Sequence, residues 1–299
     1  MTEKTNIYIS VIVPTYRNWA DLLGMLQAML AQDYPLHCFE VLVANNDPKQ
    51  AIPDSINAVA QTNDLQLSII DAPRPGSYAA RNTAAMSAKG CILAFTDSDC
   101  RPASNWLTRI RQTFDQSAVA SDLISGRVQM YSMHGNDQTL NFAESYDYVF
   151  GINQDIYANW HVAATANLSV RKTLFFKLNG FDETLMSGGD GDFCMRAGSL
   201  GHQVEYHDSI IVNHPLRDNV NEVIAKARRV IGGRAKRDGL VVMLQVLIPP
   251  IVRLKILVRK PHTSAAVKLR ALVLLTVIKL AEIEEVFRIF LLGKSPARH

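Results

Sequence analysis

Asp97 and Asp99 stand one residue apart in the stretch Ala94-Phe95-Thr96-Asp97-Ser98-Asp99-Cys100-Arg101-Pro102. Carboxylates at this spacing point to opposite sides of the local chain path, close enough to hold one hard cation and a ligand that the cation bridges. The chemistry such a pair serves is the stabilisation of negative charge on a departing phosphate. Asp-x-Asp is also common in solvated turns, so its meaning rests on its surroundings. Residues 91–95 are a short apolar run after Gly90, which predicts a buried strand, and Pro102 ends anything regular. The acidic pair therefore sits at a strand's carboxyl end.

The elements that must position it are legible in the spacing of apolar residues. Residues 7–14, 40–44, 65–70 and 91–95 read as strands, and 19–31, 53–61 and 78–88 as helices, with Asn18 and Ser77 as caps. Asp71-Ala72-Pro73-Arg74-Pro75-Gly76 is too rich in proline to be anything but a loop. Strands alternating with helices predict an α/β fold, a parallel sheet covered by helices, and such sheets bind ligands at the carboxyl ends of their strands. Thr15 to Asn18, Asn45 to Asp47, Arg74, and Asp97 to Asp99 all fall at those ends.

Composition narrows the class further. With 299 residues, 48% of them hydrophobic, the chain has core enough for one large or two modest globular units and is neither disordered nor fibrous. Cys38, Cys91, Cys100 and Cys194 lack Cys-x-x-Cys spacing, so no zinc site or disulfide framework is indicated and a reduced compartment fits. Glu3 and Lys4 precede a short apolar run with no small-residue cleavage site, so no secretory signal is expected. The net charge of +3 conceals a polarity: from Arg217 onward there are 17 Lys and Arg against 6 Asp and Glu, whereas residues 1–216 hold 14 against 22. A basic last third predicts a meeting with an anionic surface. Its cations share their segment with apolar runs rather than interleaved aromatics, which argues against nucleic acid.

Several blocks then resemble one family in order and spacing. Val11-Ile12-Val13-Pro14-Thr15-Tyr16-Arg17-Asn18, Gly76-Ser77-Tyr78-Ala79-Ala80-Arg81-Asn82, Phe95-Thr96-Asp97-Ser98-Asp99, Gly180-Phe181-Asp182-Glu183 and Gly188-Gly189-Asp190-Gly191-Asp192-Phe193-Cys194-Met195-Arg196 are similar to the family 2 glycosyltransferases. These are inverting enzymes of the GT-A fold, a Rossmann-like nucleotide-binding mixed sheet flanked by helices. The resemblance covers residues 7–217 and implies a hexosyltransferase moving a sugar from a nucleoside-diphosphate sugar, UDP-linked by expectation, to a hydroxyl of a glycan or lipid-linked acceptor.

Residue by residue, the resemblance places Pro14, Thr15, Tyr16 and Arg17 along the base and ribose, with Arg74 and Arg81 facing the nucleotide. Asn45 and Asn46 fall where the family usually has aspartates, one of them accepting the uracil imide proton. An amide oxygen can accept that bond without a charge. The resemblance makes Asp99 the ligand of Mg²⁺ or Mn²⁺, Asp97 its ribose-side companion and His214 the completion of the metal site, ahead of His207. Asp190 takes the place of the general base; its usual acidic neighbour is replaced by Gly189, and glycines there let the backbone approach a sugar. A cap for the following helix is the other reading of Asp190. Asp192 supports that helix start or a sugar hydroxyl, and Asn167, in a strand beneath the acceptor, would face donor sugar or acceptor.

Between these blocks, residues 125–128 read as a strand and residues 141–160 as an aromatic segment suited to a core, a sugar ring or a lipid tail. After residue 217 comes a second domain, 218–299. Residues 221–230 read as a helix interrupted by Gly232-Gly233, and Arg228, Arg229, Arg234, Lys236 and Arg237 form either a phosphate clamp or a solvated basic face. Residues 240–252 and 271–278 are apolar but far short of the roughly 20 residues that span a bilayer. They read as a helical, membrane-associating extension, two helices lying on the cytoplasmic face of the cell membrane, or alternatively as helices packed on the body or on a homodimer partner. Two rival functions stay open. Asn45, Asn46 and Gly189 fit a catalytically impaired nucleotide-sugar-binding scaffold. A nucleotidyltransferase would need a Gly-rich phosphate loop after the first strand, which Pro14-Thr15-Tyr16-Arg17 lacks.

Overall fold

Ile9-Ser10-Val11-Ile12-Val13 has almost no polar alternation, and all five residues are buried in one strand, as a strand covered on both faces requires. In the computed structural model, which describes residues 7–62, 64–116, 122–134 and 139–293, this strand is β1 (Ile9–Thr15). The chain continues through α1 (Trp19–Leu30), β2 (Phe39–Asn45), α2 (Asp54–Thr62), β3 (Gln66–Asp71), α3 (Ser77–Met86), β4 (Ile92–Phe95) and β5 (Arg101–Pro102). There follow α4 (Trp106–Gln116), β6 (Leu123–Tyr131), α5 (Phe142–Phe150), α6 (Gln154–Ala158), β7 (Leu168–Arg171), α7 (Lys172–Lys177), α8 (Gly189–Ser199) and β8 (Glu205–Pro215). The described chain closes with α9 (Val220–Asp238), α10 (Leu240–Leu247), α11 (Ile251–Arg259) and α12 (Ala265–Leu292).

The strands form one sheet in the order β3-β2-β1-β4-β7-β6-β8-β5. β1 runs parallel to β2 and β4, and β2 parallel to β3, whereas β7 is antiparallel to β4 and β6. The sheet is thus mixed, and the parallel arrangement holds only for the first four strands. Thr15 lies opposite Asn45, and Asn45 opposite Asp71, so three carboxyl ends are level. β4 stops earlier, with Phe95 opposite Ile12, and releases Thr96 to Asp99 into a turn beside the end of β1.

Two cap expectations change. α3 begins at Ser77 itself, preceded by Gly76 at φ +116°, a conformation that favours glycine, and Asn18 makes no side-chain cap bond to α1. The core under the sheet's rim is aromatic. Phe95, Phe175, Phe181 and Phe193 stack with ring centroids 5.1–5.5 Å apart, tying β4, α7 and α8 together. Such pairs contribute about 1 kcal/mol each beyond simple burial. They fix the supports of Asp97, Asp99 and Asp190 against one another.

The molecule divides into two compact units, one of residues 1–129, 153–185 and 189–214, the other of residues 130–152, 186–188 and 215–299. This differs from a division at 217 because residues 130–152 join the helices. In that second unit α5 opens with a capping box, Asn141 and Glu144 each bonding the other's backbone N–H at 2.9 Å. Arg217 clamps the buried Asp147 through its backbone N–H at 3.0 Å and its guanidinium at 3.1 Å. Tyr146, Tyr148 and Phe150 pack in the unit's apolar clusters, whereas Phe142 and, in the first unit, Trp160 are exposed, so only the middle of the aromatic segment serves as core.

Gly232-Gly233 does not break α9, which runs unbroken through both, and Gly232 is buried there. Of the five clustered cations, Arg228 pairs with Glu284 at 2.5 Å, Arg234 donates to Gln245 at 2.9 Å and Arg237 pairs with Asp238 at 2.7 Å. The first two fasten α9 to α12 and α10, and Arg237 pairs with its own neighbour in α9, so three of the five are already engaged, which weakens the phosphate-clamp reading. The extension holds three helices after α9 rather than two, because Pro249-Pro250 splits the first apolar run into α10 and α11.

Candidate active site

The turn after β4 is held at both ends. Thr96 donates its backbone N–H to Ile12 at 3.3 Å and its hydroxyl to Ala166 at 3.1 Å, and the Cys100 N–H closes the turn onto Asp97 at 3.1 Å. The short β5 pairs with β8 so that Arg101 lies opposite Asn213. That register brings the buried His214 beside the acidic pair, its Nε2 3.7 Å from Asp99 Oδ2. Candidate ligand atoms of Asp97, Asp99, Cys100 and His214 all lie within 4.8 Å of one another. Two carboxylates and an imidazole suit a hard divalent ion such as Mg²⁺ or Mn²⁺. Cys100 adds no thiolate, since burial, reinforced by the Asp97 and Asp99 charges, pushes its thiol well above the ordinary value.

On the same edge Arg81, only 3% exposed, forms an ion pair with Asp97 and lies over the Tyr78 ring at 5.9 Å. Its Nε and the hydroxyl of the buried Thr15 have no hydrogen-bond partner among the described residues. Buried donors in that condition are costly unless something completes them, and a phosphate or ribose would. Asn45 is buried at the end of β2, its Oδ1 accepting the Asp47 N–H at 3.2 Å. Asn46 holds the proline-rich loop, donating to Ala72 at 2.5 Å and Arg74 at 2.7 Å and accepting from Gly76 at 3.2 Å. Pro14 is half-buried, Tyr16 is exposed, and Arg17, at φ +59°, bonds Asp47 at 2.6 Å. Arg74 is exposed and pairs with Glu183.

The third group is Asp190, in the first turn of α8. The Tyr78 hydroxyl and the Gly191 N–H both point at its Oδ1, at 3.1 Å and 3.0 Å, and the Thr165 N–H approaches Oδ2 at 3.4 Å. Burial, with the Asp190 charge beside it, pushes the Tyr78 phenol well above its ordinary value, so it remains a donor. Gly189 is what admits Tyr78: a Cβ at 189 would stand 2.8 Å from the ring carbons Cδ2 and Cε2. The carboxylate is therefore aimed by a phenol that sits where a side chain at 189 would have been.

Two expectations need restating. Asn167 is 1% exposed and its amide is fully committed, donating to the carbonyls of Arg127 and Ile210 at 2.9 Å each and accepting from Trp106 Nε1 at 3.0 Å. It is an internal strut joining β6, β8 and α4 and cannot also face a sugar. Gly126 beside it leaves room for the strut, since a Cβ there would be 2.4 Å from Asn167 Nδ2. Asp192 pairs with Arg196 at 2.8 Å, and Arg196 reaches the carbonyls of Leu178 and Gly180, so Asp192 braces the helix start. His207 pairs with Glu205 and is not in the metal-ligand group. The sequence reading missed Tyr78, which lies inside a quoted motif yet looks like an ordinary helix core residue, and Glu183, whose only signal is its place after Phe181-Asp182.

A mixed sheet whose strand ends gather a group of potential divalent-ion ligands and a hydrogen-bonded carboxylate is the arrangement of a GT-A glycosyltransferase. Residues 10–178 match the glycosyl transferase family 2. The chain is also 32% identical over 228 residues, 76% of its own length and 73% of the relative's, to glycosyltransferase AglE of Haloferax volcanii. Among solved structures, a mannosyltransferase from Pyrobaculum calidifontis, in complex with GDP-Man and Mn²⁺, superposes with a TM-score of 0.63 at 20% identity, covering 96% of this chain and 88% of that one. Staphylococcus aureus TarS in complex with UDP does so with a TM-score of 0.54 at 18% identity, covering 96% of this chain and 92% of that one. The chain belongs to glycosyl transferase family 2 and is a glycosyltransferase.

Proposed function

We propose that the chain is a metal-assisted, inverting hexosyltransferase acting on a UDP-sugar, with Asp190 as general base and a glycan or lipid-linked glycan as acceptor. The observation that carries this reading is the pairing, on one sheet edge, of the Asp97, Asp99 and His214 ligand group with a carboxylate held by Tyr78. The solved relatives support a nucleotide donor and a divalent ion, one with GDP-Man and Mn²⁺, another with UDP. For uridine over guanosine the support is the resemblance of the loop blocks, and Asn45 would accept the imide proton in place of the usual aspartate.

Asp97, Asp99 and His214 would hold the ion, and Mg²⁺ or Mn²⁺ bound there supplies electrophilic stabilisation of the diphosphate leaving group. Arg81 and Thr15 meet phosphate and ribose through the donors that otherwise lack partners. Asp190 takes the proton of the acceptor hydroxyl as its oxygen forms the new bond to the anomeric carbon. The bond from that carbon to the diphosphate breaks on the opposite face, the diphosphate leaves with the electron pair, and configuration inverts. The Tyr78 hydrogen bond and the Gly191 N–H leave Oδ2 as the freer oxygen, facing Thr165 at 3.4 Å.

The test is Asp190→Asn. Turnover of UDP-sugars should fall about a thousandfold, with donor affinity by titration calorimetry unchanged. Near-normal turnover in this variant would exclude Asp190 as base, and wild-type protein that binds donor but never turns it over would favour the scaffold.

A further inference from the structure

α10 reads Leu240-Val241-Val242-Met243-Leu244-Gln245-Val246-Leu247, with Gln245 its one polar side chain. Val242 and Val246 are buried in a cluster with Val286 of α12, which accounts for one face. Leu240, Val241, Leu244 and Leu247 are each more than half exposed, at 56–65%. α11 repeats the arrangement: Leu257 packs with Val267 and Ala271 of α12, while Ile251, Val252, Leu254 and Val258 lie open. On α12 the exposed Leu269, Leu272, Val273, Val277 and Leu280 recur at helical spacing, opposite the buried Leu274, Leu275 and Ile278. Helices that are apolar on both faces are not built for water, and a patch of this extent marks a surface that something covers.

Length argues against a simple crossing. Among the described residues no single helix is long and apolar enough to cross a membrane; α10 and α11 reach that length and hydropathy only together, as a pair bent by 51°. Charge distinguishes the remaining occupants. Residues 240–281 contain seven Lys and Arg and no Asp or Glu. The glutamates that follow are engaged internally, Glu282 with Arg253, Glu284 with Arg228 and Glu285 with Arg288. Arg253 is answered by Glu282, yet a two-fold contact through this face would still bring the other cations of one copy, Lys255 and Arg259 among them, against those of the second with no Asp or Glu within residues 240–281. Anionic head groups would neutralise the same charges.

We infer that α10, α11 and the exposed stripe of α12 form a docking surface for an anionic phospholipid bilayer, lying in its plane. The elbow between α10 and α11, with Leu247, Ile248 and Ile251, enters the acyl region, and the exposed Lys255 and Arg259 meet head groups. The surface does not depend on the identity of the base, so loss of one reading leaves the other intact.

The full chain is tested by flotation with vesicles of phosphatidylcholine alone and of phosphatidylcholine with phosphatidylglycerol. Wild type should float with the anionic vesicles and be released by high salt. Leu244→Gln/Leu247→Gln/Ile251→Gln should lower the partition coefficient at least about tenfold, with an unchanged melting temperature because all three side chains are exposed. Lys255→Glu/Arg259→Glu should cost about tenfold on anionic vesicles and nothing on neutral ones; this variant keeps the test decisive should the first fold poorly. Wild type that stays unbound, or variants that bind as well as wild type, would overturn the inference. So would a wild-type dimer in light scattering that the apolar variant dissolves, which would give the face to a second copy.

Discussion

The two units treat exposed and buried groups in opposite ways. Along the strand ends of the first, polar side chains are drawn inward and given partners: Asp97 has Arg81, Asp190 has Tyr78, and Asn167 has three bonds at 1% exposure. In the helical unit, apolar side chains such as Leu244, Leu247 and Val258 are left outward with nothing over them among the described residues. Fixed dipoles and charges are what transition-state stabilisation needs, because they cost no reorganisation when charge develops. Uncovered apolar area has its value only when a second phase or a partner arrives. Removing a polar group should therefore damage function in the first unit, and adding one should be tolerated on the outer faces of the second.

The largest break in that comparison comes from Asp99→Ala. With one carboxylate of the Asp97, Asp99 and His214 group removed, donor affinity measured with Mn²⁺ should fall about a hundredfold, to the level that wild type shows in chelator. Affinity that stays metal-dependent would remove Asp99 from the ion's ligands. The fold should survive, since Asp99 is half-buried and lies in a turn rather than the core.

Tyr78→Phe is smaller and sharper. It deletes one hydrogen bond to a carboxylate while keeping the ring that packs on Gly189, so turnover should fall about tenfold with donor affinity intact. Unchanged turnover would reduce Tyr78 to a packing residue. The same variant has a stability signature. The folded-state phenol value lies above the ordinary 10.0, so the unfolded chain ionises first. The contribution of Tyr78 to stability is full below pH 10.0 and is lost as pH rises through the folded value. Melting temperatures measured on either side of that point should decline less steeply in Tyr78→Phe than in wild type. Some decline will persist, because Cys194, held up at about 12 by burial, titrates in the same direction.

Most of the first unit was legible because its signals are local. A nearly continuous apolar run at β1, broken only by Ser10 before Pro14, specifies a buried parallel strand, and the acidic pair after β4 needs only the strand's end to be placed. The ligand His214 was legible only through resemblance, because its position depends on β5 pairing with β8, more than 100 residues away in the chain. Asn167 was misread because its strut role is set by three carbonyl and indole partners from distant segments, and nothing in Thr165-Ala166-Asn167 announces them. Gly232-Gly233 was misread for the opposite reason: local propensity disfavours the helix, and burial of Gly232 against the rest of the unit overrides it. Tyr78 and Gly189 are complementary in shape, and shape between residues 111 positions apart leaves no local trace.

The smallest expected effect, at Leu247, is read against its neighbour Val246 in α10. Val246 is 1% exposed and belongs to the cluster with Val286, whereas Leu247 is 56% exposed. Val246→Asp buries a charge that no neighbouring cation in the cluster answers, and should cost several kcal/mol, about 3 or more. Leu247→Asp places the same charge in water and should change stability by no more than about 0.5 kcal/mol. Denaturant melts of the two variants decide the matter. If Leu247→Asp is as damaging as Val246→Asp, the face is covered within the folded chain itself, and the contrast between the two units disappears. If it is neutral in buffer yet abolishes vesicle flotation, the side chain's only work lies outside the protein, where a carboxylate would be repelled by anionic head groups and excluded by acyl chains.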